Sequence, residues 1–173
     1  RVTGWTVVDN TFDGRFKCTW RQYKYFLCHV GLDLQGMQAA CEKLIGEHDF
    51  RNFCRKDPSK TITNYNRRLL ECKIEYVDDT TSALVIRGTA FLYNQVRCTM
   101  AVLLMIGRRQ ESVAIIDHLL DISACPKRPL YPIASENYLV FHKCEYDPPL
   151  VFHNCNHHTT SVFNEQIANN NAL

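Results

Sequence analysis

Two arginines and a run of aromatic rings carry the chemical potential of this chain. Residues 12–27 read FDGRFKCTWRQYKYFL, and the second half has the alternation of a strand. Period-two geometry puts Arg21, Tyr23, Tyr25 and Leu27 on one face and Trp20, Gln22, Lys24 and Phe26 on the other. A guanidinium followed by two phenol rings makes a surface suited to a phosphate and a stacked base. The same pattern also serves an ordinary half-buried edge strand, since aromatics are common strand residues. The second arginine, Arg97, opens the almost wholly apolar stretch RCTMAVLLMIG. A cation there needs an anionic partner, and nothing acidic lies close to it in sequence, so the partner is expected from elsewhere in the fold. The competing expectation is that Arg97 snorkels to the surface at the helix end.

The segments FDGRF, RQYKY, GEHDFRNFCRKD, RRLLECKIEY, GTAFLYNQVRCTMAVLLMIG and YLVFHKCEY follow one another in that order. From about Trp5 to Tyr146 this series resembles the TruA-type tRNA pseudouridine synthases. The GEHDFRNFC wording resembles most the eukaryotic branch that modifies the 3′ side of the anticodon stem-loop. The resemblance implies isomerisation of uridine to pseudouridine in tRNA, with no cofactor and no metal. Such a reaction needs the target uridine out of its stack, a carboxylate acting on the nucleotide, and a pocket with a stacking ring, apolar walls and a positive group.

By the same resemblance Tyr23 is the stacking ring, Arg97 the arginine that pairs with the catalytic aspartate, and Leu139 the leucine that closes the uracil pocket. It also implies tRNA contacts for Arg15, Arg21, Lys24, Arg51, Arg67, Arg68 and Asn94. The family's catalytic aspartate belongs to an Arg-Thr-Asp motif upstream of these segments, and no Arg-Thr-Asp occurs in this sequence. The expectation is therefore the C-terminal part of such an enzyme, completed by an N-terminal half that carries the nucleophile, with tRNA as partner and a homodimer plausible from the family. The alternatives are a non-catalytic RNA-binding module of the same fold and a structural subunit of a larger ribonucleoprotein. Asn94 stands where the family commonly has histidine, and retains a donor and an acceptor.

Composition neither demands nor excludes RNA. Net charge is +2, too little for a global steering field, but the basic residues cluster: Arg51, Arg55 and Lys56; Arg67 and Arg68; Arg108 and Arg109; Lys127 and Arg128. Each cluster can meet a phosphate or form a solvated face. Nine cysteines, an odd count, fall mostly in apolar stretches (Cys18, Cys28, Cys41, Cys72, Cys98, Cys144). They read as small buried hydrophobes kept reduced, hence an intracellular protein of nucleus or cytoplasm. The apolar run 100–106 is too short to span a bilayer. His153, Cys155, His157 and His158 fit none of the usual structural zinc spacings. Cys54, His48 and Asp49 imitate a thiol-protease set but stand too close in sequence for one.

Positioning these groups requires helices and strands in alternation. A helix is expected from Asp33, a good N-cap, to Gly46, then a loop over 55–66. A strand over 70–76 turns at Asp78–Asp79 and returns through Leu84, Ile86 and Gly88. A helix apolar nearly all round ends at Gly107 and belongs in a core. A third helix opens at Ser112 and stops before Pro126, and residues 138–146 form a last long strand. The class is α+β, an antiparallel sheet with helices packed on one face. A boundary is placed at residue 147, with 148–173 an extension holding one short strand near 151–155 and a frayed or disordered Asn-rich end.

Overall fold

A computed structural model describes residues 4–56, 59 and 61–154. Two compact units divide the chain, one formed by Arg1–Cys18 with Glu145–Leu173 and the other by Thr19–Cys144. The larger unit carries a five-stranded antiparallel sheet of order β3-β4-β5-β2-β6. Its strands are β2 (Cys18–Cys28), β3 (Gly46–Asp49), β4 (Asn66–Tyr76), β5 (Thr81–Gly88) and β6 (Leu139–Tyr146). Three helices pack against it: α1 (Leu34–Lys43), α2 (Gln95–Gly107) and α3 (Ala114–Leu120). In the smaller unit β1 (Gly4–Trp5) pairs antiparallel with β7 (His153–Asn154).

The expected α+β class therefore holds, and local chemistry explains the elements. The Asp33 carboxylate accepts from the Gly36 N–H at 2.9 Å and starts α1, as an N-cap should. Helix α2 buries residues on every side, among them Met100, Val102, Leu103 and Ile106. It packs so closely on α1 that a Cβ on Gly107 would lie 2.6 Å from the Met37 sulfur, so any larger residue there would have to displace that buried side chain. Phe50, Phe53, Leu44, Leu69, Leu84 and Ile86 complete the core between helices and sheet.

The two faces of β2 have different surroundings. Tyr25 and Leu27 are buried in the core. On the opposite face Gln22 donates to Glu71 at 3.1 Å, Lys24 pairs with Glu75 at 3.2 Å, and the Arg87 guanidinium lies 5.2 Å from the Trp20 ring. This polar ladder covers Ala83 and Val85 of the neighbouring strand, which are buried beneath it.

Three expectations are corrected. Helix α1 ends at Lys43, and Gly46, with φ +110°, instead opens β3, a strand paired with residues 66–69 of β4. GEHD has only four residues and no apolar alternation, so its strand arises from pairing with β4 rather than from its own pattern. Strand β4 also begins four residues before the expected Leu70. Cys28 is exposed and Cys18 and Cys144 are half-buried, whereas Cys41, Cys72 and Cys98 are buried as expected. The Asn-rich end and the Cys155, His157 and His158 part of the histidine-rich cluster lie outside the described residues.

All eight described cysteines are free. Titration of the denatured protein under non-oxidising conditions is expected to find all nine thiols of the chain reactive; native intramolecular disulfides detected by mass spectrometry would refute this.

Candidate active site

The site forms where the first turn of α2 meets β2 and the start of β6. Asn94, in the left-handed region at φ 60°, precedes the helix. The Gln95 side chain folds back to accept the Leu92 N–H at 2.8 Å, which frees Asn94 for another task. Its Oδ1 accepts from Arg97 Nη1 at 3.1 Å. Arg97 Nε donates to the Ala134 carbonyl at 2.7 Å, and Nη2 pairs with Glu136 at 2.6 Å. Ala134 returns its own N–H to the Arg97 carbonyl at 3.3 Å. Arg97 therefore does not snorkel free. Its side chain is 19% exposed, and its acidic partner is Glu136, far along the chain and 70% exposed.

Aromatic rings line the adjoining strands. Tyr23 meets Phe91 edge-on at 5.3 Å and Phe141 of β6 at 5.4 Å. Tyr25 lies 6.2 Å from Tyr138. Burial pushes the Tyr25 hydroxyl above the ordinary tyrosine range, opposed by the positive charge of Arg97. That coupling places Tyr25 within electrostatic reach of Arg97, on the same face of β2 as Tyr23. Leu139 is partly buried against the core beside Tyr138. The contacts recorded for these three residues are with different groups: Tyr23 with Phe91 and Phe141, Arg97 with Ala134, Asn94 and Glu136, and Leu139 with the core. Sequence reasoning missed Glu136, Phe91, Phe141 and Ala134. Glu136 follows Ser135, which accepts the Asn137 N–H at 3.3 Å and turns the chain into β6; that cap marks the turn but not the partner of Arg97.

The expected RNA-contact residues fall in different surroundings. Lys24 belongs to the ladder on the other face of β2. Arg51 pairs with Asp49 at 2.8 Å; burial pushes that carboxyl up, but hydrogen bonds from Arg51 outweigh it and hold Asp49 below its ordinary range. Arg67 Nη1 donates to the carbonyls of Asn64 and Asn66 at 3.2 and 2.6 Å. Arg68 is exposed on β4, and Arg21 sits opposite Gly88 on β2. Arg15 belongs to the smaller unit, its guanidinium 5.8 Å from the Phe16 ring. Among the described residues no group of three or more His, Cys, Asp or Glu is placed to hold a metal, and no helix is long and apolar enough to cross a membrane. Cys54 makes no thiolate nucleophile, because burial, aided by Cys98, pushes its thiol up to about 11.

The fold is an antiparallel sheet backed by three helices, with Arg97 held at the first turn of α2. Residues 40–147, more than half of the chain, match the tRNA pseudouridine synthase family, and the chain belongs to that family. It is 37% identical over 158 residues to the tRNA pseudouridine(38/39) synthase of Bos taurus, covering 85% of this chain and 33% of that protein. To the tRNA pseudouridine(38/39) synthase of Saccharomyces cerevisiae it is 40% identical over 135 residues, covering 78% and 30%. An archaeal relative, tRNA pseudouridine synthase A of Methanocaldococcus jannaschii, is 30% identical over 128 residues, covering 74% and 49%. The chain spans about a third of the length of the eukaryotic relatives.

Glu136 is mostly exposed, so its pairing with Arg97 contributes little to stability. Glu136→Gln is expected to cost less than about 1 kcal/mol in urea unfolding, because Arg97 keeps its bonds to Ala134 and Asn94. A larger loss would make Glu136 a structural anchor.

Proposed function

We propose that this chain supplies the base-stacking and arginine side of a tRNA pseudouridine synthase site acting on the 3′ side of the anticodon stem-loop. The observation that carries this reading is the state of Arg97. A guanidinium has five N–H donors, and three of them are engaged by Ala134, Asn94 and Glu136. Two remain, one on each terminal nitrogen. Arg97 is already held in a geometry that grips a carboxylate, and it has donors to offer a second one.

In this proposal the second carboxylate is the family's catalytic aspartate, contributed by an N-terminal half absent from these 173 residues. Arg97 holds it ionised, since a neighbouring cation favours the charged form. Tyr23 stacks on the extruded uracil and keeps the detached base from escaping while it rotates, and Leu139 closes the apolar wall. No cofactor enters this scheme. Arg21, Arg68 and Arg15 meet phosphates of the tRNA, and the protein works inside the cell, in nucleus or cytoplasm. The eukaryotic relatives, whose names specify positions 38/39, support the choice of target region.

Two outcomes test this reading. The 173-residue chain by itself is expected to form no pseudouridine in a tritium-release assay on unmodified tRNA; multiple turnovers would overturn the split of the site. In the full-length protein, Arg97→Lys keeps the charge but loses the two-pronged geometry, and should damage turnover far more than tRNA affinity. Arg97→Met, which leaves the aspartate unpartnered, should be slower still. Single-turnover kinetics at saturating enzyme read the chemical step directly. Near-normal rates for both variants would remove Arg97 from the site and favour a non-catalytic RNA-binding module.

A further inference from the structure

Away from the aromatic cluster, two basic segments that are far apart in sequence converge on one cavity of about 410 Å³. Residues 51–56 supply Arg51, Arg55 and Lys56, residues 127–128 supply Lys127 and Arg128, and the Tyr65 ring forms part of the wall. The volume lies within the range of about 300–1,000 Å³ usual for small-ligand sites. Arg51 is partly neutralised by Asp49. Arg55, Lys56, Lys127 and Arg128 form no ion pair among the described residues.

We propose that this cavity binds a backbone phosphodiester of the RNA substrate. The inference rests on the RNA reading above and deepens it. Cations gathered round one hollow repel one another, and an anion seated among them relieves that repulsion. The Arg128 guanidinium is held over the Tyr131 ring, its carbon 3.8 Å from the ring centre, whereas the fork of Arg51 is engaged by Asp49 through Nε and Nη2 at 3.0 and 2.8 Å. Arg128 Nη2 also donates to the Tyr131 carbonyl at 2.7 Å. A pre-oriented planar guanidinium of this kind matches phosphate oxygens. The protonated Cys54 thiol in the wall leaves the cavity a binding role without nucleophilic chemistry.

The cavity is built on the loops that hold Arg97, which is why a nucleic acid chain suits it better than a free anion. The Arg55 N–H donates to the Tyr93 carbonyl at 3.0 Å, and the next residue, Asn94, grips Arg97. On the other side Arg128 stacks on Tyr131, whose hydroxyl donates to the Asn52 carbonyl at 2.5 Å. Three residues further on, Ala134 accepts from Arg97 Nε. One RNA strand engaging both places would set Arg97 and the phosphate cavity in a fixed relation.

The salt dependence of RNA affinity tests the proposal. An anticodon stem-loop RNA is titrated with the full-length protein by fluorescence anisotropy over a range of KCl concentrations. Arg55→Gln combined with Lys127→Gln should flatten the plot of log affinity against log salt by about 1 to 2. Arg55→Lys with Lys127→Arg, which keeps both charges, should restore the slope and guards against misfolding. Lys43→Gln with Lys73→Gln, at lysines already paired with Asp117 and Glu71, should leave it unchanged. A wild-type slope in the first pair overturns the cavity. So does inorganic pyrophosphate raising the melting temperature while that slope stays unchanged, which would mark a small-anion site. The two readings fail separately: an Arg97→Met protein that still isomerises uridine refutes the Tyr23–Arg97 site, and the salt slopes still judge the cavity.

Discussion

A guanidinium at the mouth of an apolar helix is the constraint on which the neighbouring structure depends. Helix α2 is buried on all sides, so its first turn cannot move outward to hydrate Arg97. Leaving a largely buried charge without partners costs about 3–5 kcal/mol, a large fraction of the stability of a domain this size. The fold answers with neutral groups as much as with charge. The Ala134 carbonyl and the Asn94 amide hold Arg97 from two sides, and the exposed Glu136 completes the set from the solvent edge. The orientation of Arg97 thus comes from groups that do not titrate, while its acidic partner remains where another carboxylate can approach.

The loop 126–136 consequently has more than a connecting role. It passes from α3 to β6 and fastens to the core at several points. Arg128 is stacked on Tyr131, Tyr131 bonds to Asn52, and Ala134 exchanges hydrogen bonds with Arg97. Asn52 is itself buried and donates to the carbonyls of Leu119 and Cys125 at 2.9 and 2.6 Å. Burial pushes the Tyr131 hydroxyl well above the ordinary tyrosine range, so it stays a donor at any physiological pH. Side chains that bond main-chain groups of distant segments tie this irregular loop to the helices and to the turn at 51–53. Support of this kind is what a positioned arginine needs.

The sequence made the architecture legible where one period dominated. The alternation in the second half of residues 12–27 located β2 and separated its two faces without saying which is buried, and the unbroken apolar run of α2 marked it as a core helix. Asp33 announced the start of α1 through its own cap. Strand β3 was invisible because Gly-Glu-His-Asp has no apolar alternation; it becomes a strand only when Arg67 and Arg68 lie opposite His48 and Glu47. Tyr23, Arg97 and Leu139 were singled out by the family resemblance, but the partner of Arg97 could not be. Glu136 is brought to it by the turn into β6, a tertiary event that no spacing within α2 encodes.

The same distinction governs the charges. Read along the chain, 51–56 and 127–128 were two unremarkable basic clusters, each equally suited to a solvated face. Lys24 also looked like a candidate for phosphate, yet it is spent on Glu75 across the sheet, as Arg87 is on Glu71 and Trp20. Cross-strand geometry brings opposite charges within reach and satisfies them locally. Loop residues have no such imposed neighbours, so Arg55, Lys56, Lys127 and Arg128 are free of acidic partners among the described residues and face a common hollow. Net charge therefore says little about where an anion would bind here. What decides it is which cations the sheet has already neutralised and which the loops leave available.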